Sequence, residues 1–139
     1  MSEQIMRMRP DGLVRSPAFS HVAVVPPPGA TTIYVGGQNG VDESGAVVSA
    51  DAGEQAARAI DNAATALAAA GASLADVVQW TVLLAEGADL QAAYGAVAQR
   101  LASDGEPALV TAAIVSALGV PGAVIEVSAV AAVMPAERS

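Results

Sequence analysis

Apolar and polar positions along this chain follow two rhythms, and glycines and prolines mark where one gives way to the other. Residues 20–25 turn apolar, and Pro26-Pro27-Pro28-Gly29 stops them. Residues 31–35 are rich in β-branched and aromatic side chains and read as a strand. Gly36-Gly37-Gln38-Asn39-Gly40 is expected to turn the chain, because glycine adopts positive φ at little cost. A second turn is expected at Asp42-Glu43-Ser44-Gly45, before the short apolar run 46–48. Asp51 and Glu54 have the spacing of a capped helix start. Ile60, Ala64, Leu67 and Gly71 then recur at helical spacing, with Arg58, Asp61, Asn62 and Thr65 between them. One face of that helix is therefore apolar, and Gly71 marks its end. Residues 77–84 return to a strand rhythm, with Val78, Trp80, Val82 and Leu84 on one face. Asp89 begins a second helix with the stripe Leu90, Tyr94, Val97 and Leu101, ended by Ser103-Asp104-Gly105. Two strands close the chain, at 109–115 and 124–133, joined through Gly119-Val120-Pro121-Gly122.

The order β-β-(β)-α-β-α-β-β predicts a two-layer α+β domain with two helices packed on one mixed sheet. The 139 residues suit one domain. Residues 1–15 are polar and irregular and are expected to form a flexible N-terminal arm, leaving 16–139 as the single folded unit. There is no internal repeat and no linker. Composition alters this picture in one respect. The hydrophobic fraction is 53% but aromatics supply only 3%, so the core is built from Ala, Val, Leu and Ile, and some apolar surface is expected to be buried between subunits.

Charge removes several functions. Fourteen acidic and six basic residues leave a net charge of −8. Phosphate backbones demand clustered cations, so nucleic acid and anionic membranes are poor partners. Every cation is an arginine; without lysine there is no Schiff-base chemistry, and without cysteine no thiol nucleophile, thiolate metal site or disulfide. No metal and no organic cofactor is expected. No run reaches ~18 apolar residues and the start lacks an apolar leader core, so the expected compartment is the cytoplasm.

Few residues remain that can carry chemistry. Glu126 interrupts an apolar strand, where an ionised carboxylate needs a partner or a cleft. In a cleft it would serve as a general base for water; the alternative is a solvated strand glutamate. His21 is the only histidine; it is a candidate proton relay or a structural hydrogen-bonding group at a cleft rim. Phe19 and Tyr34 are candidates to line an apolar pocket, against simple packing. Trp80 and Tyr94 read as core or interface residues. The backbone N–H groups of Gly36, Gly37, Gln38 and Asn39 are candidates to hold an oxyanion or carbonyl, against plain turn chemistry. Arg58 reads as part of a solvated helix face.

Four local patterns resemble the YjgF/RidA (reactive intermediate deaminase) family. Ser16-Pro17-Ala18-Phe19-Ser20-His21 resembles its early proline–aromatic–serine segment, and Tyr34-Val35-Gly36-Gly37-Gln38 its strand ending in a Gly-Gln turn. Gln55-Ala56-Ala57-Arg58-Ala59-Ile60-Asp61-Asn62 resembles its first helix; Pro107-Ala108 and Ile125-Glu126-Val127 resemble its C-terminal signature. The resemblance implies a chorismate-mutase-like fold, a homotrimer, and clefts between adjacent subunits. It also implies hydrolysis of enamines and imines, with an arginine gripping the substrate carboxylate and a last-strand glutamate handling water.

This sequence departs from that pattern at the arginine. Matching by Pro107-Ala108 puts Leu109 there; counting back from Glu126 puts Thr111 there. Both have the same parity in a strand, and neither offers a carboxylate the paired bonds of a guanidinium. Arg15 is a candidate to compensate. Three readings follow. The first is an imine or enamine hydrolase, a deaminase using Glu126 and His21 on small molecules other than ordinary 2-imino acids. The second is a non-catalytic trimer binding a small apolar ligand or a partner protein. The third, a ribonuclease, is disfavoured by the −8 charge.

Overall fold

The computed structural model describes residues 4–8, 10–13, 17, 19–26, 29–103 and 105–135. Its elements are β1 (Met6–Met8), β2 (Val22–Val24), β3 (Thr31–Asn39), α1 (Ala52–Ala69), β4 (Val77–Ala85), α2 (Leu90–Leu101), β5 (Leu109–Val115) and β6 (Ile125–Val133), with a 3-10 turn at Leu74–Asp76. The main sheet has the order β3-β6-β4-β5. β6 runs antiparallel to both β3 and β4, while β4 and β5 are parallel, so the sheet is mixed as expected. Two helices pack on one side of it, the α+β arrangement read from the sequence.

Both helix starts form as the sequence predicts. The Asp51 carboxylate accepts the Glu54 N–H at 2.9 Å and the Asp89 carboxylate accepts the Ala92 N–H at 3.1 Å, each satisfying a first-turn donor. Gly71, at φ +80°, lies just past the end of α1 in the left-handed conformation that glycine tolerates. The apolar face of α1 (Ala56, Ala59, Ile60, Ala63, Leu67) packs against β3 and β6, where Val35, Ile125 and Val127 lie, and Val82 and Leu84 of β4 belong to the same core. Alanines on the helix let its backbone lie close to the sheet, so an almost non-aromatic core closes with Trp80 as its largest member.

Several expectations change. Met6–Met8, expected within a flexible arm, pairs antiparallel with Val22–Val24 as a small second sheet. Arg7 fixes it by donating to the carbonyls of Ala75 at 3.0 Å and Val77 at 2.9 Å. The run 46–48 forms only an isolated bridge, Val41 to Val47. Val78 does not share the face of Trp80: a register shift between Val77 and Gln79 inserts an extra residue, and Val77 takes the buried place instead. On α2 the fully buried residue is Ala93, whereas Tyr94 is 43% exposed and lies outside the core of the chain. The expected stop at Ser103-Asp104-Gly105 includes Asp104, which lies outside the described residues.

β3 is longer than expected. Gly36-Gly37-Gln38-Asn39, read as a turn, continues the strand through a register shift between Val35 and Gln38. This bulge shapes the candidate site.

Candidate functional site

Residues paired in register share a face, so the ladders define what the helix-free side of the sheet displays. Tyr34, Val130, Gln79 and Leu109 form one row across all four strands. Ser128, Thr81 and Thr111 form the next, and Glu126, Leu83 and Ala113 the one beyond. Leu109 and Thr111 thus share a face, as their parity requires. From the row of Glu126, Thr111 is one row away and Leu109 two, or ~7 and ~13 Å along the strands and ~10 Å across them. Thr111 is the nearer of the two candidate arginine positions.

The bulge cradles Glu126. A methyl group placed on Gly37 would lie 2.6 Å from a Glu126 carboxylate oxygen, inside van der Waals contact. The absent side chain is the space the carboxylate occupies, and the extra residue of the bulge turns Gly37 toward it. Gly37→Ala should therefore push the carboxylate out of place while leaving the fold intact. Amide chemical shifts should change at Glu126 in that variant, with Tm lowered by only a few degrees. Unchanged shifts at Glu126 would mean that Gly37 does not hold the carboxylate in place.

Two knots of hydrogen bonds hold this region, and each joins two of the sequence patterns singled out above. In the first, α1 grips the end of β3. Asn62 donates to the carbonyls of Asn39 at 2.9 Å and Val41 at 3.0 Å, and Asn39 donates to the Ile125 carbonyl at 3.0 Å. Gly40 lies so close to α1 that a Cβ there would meet the Gln55 carbonyl oxygen at 2.5 Å. Gln55, fully buried, donates to the carbonyls of Ser49 and Gly122 and accepts the Val124 N–H. The glutamine and asparagine of this helix are thus clamps for the glycine strand and for the start of β6. In the second knot, Ser20 bridges to Leu109 at the sheet edge, its N–H donating to Ala108 and its hydroxyl to Pro107.

The second knot decides where His21 lies. Phe19 and His21 stack edge to face, 5.4 Å between ring centres, beside Ser20 and hence at the Leu109 end of β5. Glu126 lies two rows farther along and two strands across. The chain therefore groups Glu126 with Gly36, Gly37 and Asn39, and groups His21 and Phe19 with Leu109. Gln38 belongs to neither group; it lines a recess of about 340 Å³ on the α1 side with Arg58, Asn62 and Asp42. Arg58, expected on a solvated face, is partly buried and donates to Asn62 at 3.1 Å. At the rim, the Ser44 hydroxyl, the Ala46 and Ser44 N–H groups and nearby Arg58 hold the Asp42 carboxyl below its ordinary value of 3.8. That turn is held fully above the ordinary value and loosens as pH falls through the lowered one. Arg15 lies outside the described residues.

Tyr34, 78% exposed, stands on the helix-free face over a shallow depression of about 220 Å³ lined by Gly36, Gln79, Thr81, Ser128 and Val130. Gln79, Thr81 and Ser128 are not marked out by the sequence. Their alternation within two apolar strands was the available signal, and only the ladder registers bring them together. No group of three or more His, Asp or Glu able to hold a metal occurs among the described residues, and none of their helices is long and apolar enough to cross a membrane.

The class that emerges is a small two-layer α+β protein whose bare sheet face carries a cradled carboxylate beside hydroxyl and amide groups. Residues 14–133 match the family profile described as Endoribonuclease L-PSP, and the chain belongs to this YjgF/RidA family. Among solved structures it is similar to a Rid-family protein of unknown function from Yersinia pestis, at 25% identity and TM-score 0.79, over 91% of this chain and 97% of that one. It is also similar to RidA from an Antarctic Psychrobacter, at 26% identity and TM-score 0.65, over 90% and 93% of the two chains. A YjgF/YER057c/UK114-family protein from Mycobacterium tuberculosis shares the fold at 23% identity and TM-score 0.63, over 94% of this chain and 100% of that one. A search of curated proteins found no match.

Proposed function

We propose that this protein hydrolyses small imines or enamines in clefts between its subunits, with Glu126 as the base that activates water. The observation that carries this reading is the cradle: Gly37 leaves room for one carboxylate at a fixed place on an otherwise neutral face. The chemistry needs little more. Glu126 takes a proton from water, the oxygen bonds to the imine carbon, and the C=N electron pair moves to nitrogen, which is protonated. The carbinolamine then loses ammonia as the C–N bond breaks, and the carbonyl product forms. Hydroxyls of Ser128, Thr81 and Thr111 stand in the adjacent row to hold water and substrate. Within one protomer His21 is too far to relay a proton to Glu126, so a relay would have to come from another subunit.

A single protomer leaves the face open, and β5 argues for self-association. It is an edge strand without a charged residue, with Val110 36% and Ile114 58% exposed. Exposed apolar edges of this kind are covered in stable proteins. A homotrimer, the assembly implied by the family resemblance, would cover this edge; Val110 and Ile114, paired with Trp80 and Leu84, lie on the helix side of the sheet, opposite the depression. Ile114→Lys should then dissociate the assembly to monomers, read by sedimentation velocity; an unchanged sedimentation coefficient would exclude β5 from the interface.

Hydrolysis itself is tested by generating imines in place with an amine oxidase or an amino-acid oxidase and following their decay. The account expects decay of the amine-derived imine at least about 100-fold faster than in buffer, the scale of general base catalysis. Decay no faster than buffer contradicts it. The net charge of −8 and the absence of lysine weigh against RNA as the substrate.

A further inference from the structure

We infer that the site selects for positive charge on its ligand, taking amine-derived iminium or amidinium-like groups in preference to carboxylates. This deepens the proposed function and rests on its placing of the site on the helix-free face. The three paired rows of that face hold one acidic or basic side chain, Glu126, among hydroxyl, amide and apolar residues. The described arginines are all committed elsewhere. Arg7 donates to two carbonyls at the start of β4, Arg58 lies on the α1 side against Asn62, and Arg100 pairs with Asp61 at 3.1 Å. Leu109 and Thr111, the positions facing the site from β5, are neutral.

The consequence is electrostatic. An anionic ligand entering this face meets a carboxylate with no described cation to offset it, within a protein of net charge −8. A planar cationic nitrogen group meets an acceptor, and a charge-assisted hydrogen bond is stronger than a neutral one. The preference also suits the reaction, because the protonated imine is the form most readily attacked by water. Tyr34 and Val130, in the row beyond Ser128, offer an apolar wall for the substituent on the imine carbon.

Three probes of one shape and different charge test this: benzamidine, benzamide and benzoate. Binding to the full-length protein is followed by amide chemical shifts of Gly37 and Glu126. The expected result is benzamidine binding at least about 10-fold tighter than benzoate, with benzamide between, because one charge-assisted bond is gained and one repulsion avoided. Glu126→Gln should erase the difference. Benzoate binding as tightly as benzamidine, a preference that survives Glu126→Gln, or no benzamidine shift at Gly37 would each overturn the inference. A benzoate preference that vanishes in Arg15→Ala would overturn it by supplying the missing cation. Absence of imine turnover alongside a Glu126-dependent benzamidine preference would sink the hydrolase reading and leave this one standing.

Discussion

Glu126→Gln is expected to lower kcat/KM for amine-derived imines by about 100-fold or more while leaving Tm within about 2 °C of the parent. The two halves of this expectation have separate causes. Glutamine keeps the shape and fits the space beside Gly37, but it cannot take a proton from water. The carboxylate makes no hydrogen bond to another described residue, so the fold does not depend on it. Steady-state kinetics and thermal unfolding on one preparation check both halves. A large loss of Tm would instead make Glu126 a structural residue, and unchanged kinetics would remove it from the mechanism.

Gln55→Ala is expected to give the largest loss of stability. Its side chain is fully buried and satisfies three backbone groups, from Ser49, Gly122 and Val124, that lose their partner when it is removed. Each orphaned group costs on the order of 1–3 kcal/mol, so a total of about 3 kcal/mol or more is expected. For a domain of this size that lowers Tm by about 10 °C. Calorimetry on the purified variant would check it, and a shift below about 3 °C would mean that the loops do not depend on this clamp. Activity should fall as well, because the same bonds fix the start of β6 one residue before Ile125.

These two residues also show how far the sequence can be read. Glu126 was legible because a charge within an apolar strand is a local anomaly. Gln55 was visible only as part of a resemblance, since a glutamine on a helix looks solvated until its neighbours are known. The two helices and both N-terminal caps were legible because they depend on residues three or four apart; the strands before α1 were not, since Met6–Met8 reads as an arm and 46–48 as a strand. The bulges were not. Each inserts one residue into a ladder, so the two-residue period of Val78 and Trp80 breaks, and Gly36-Gly37 looks like a turn instead of a bent strand. The candidate site suffered most, because the rows joining Ser128, Thr81 and Thr111 are set by pairings across three strands. The same pairings separate His21 from Glu126 within a protomer.

The central claim is that Glu126 faces a groove shared by subunits and meets the ligand there. A crystal structure of the assembled protein grown with benzamidine tests it most directly. The account predicts the amidinium within hydrogen-bonding distance of the Glu126 carboxylate, beside Gly37, in a groove closed by a second subunit. A monomer, or a ligand bound away from Glu126 with that carboxylate open to bulk solvent, would contradict it.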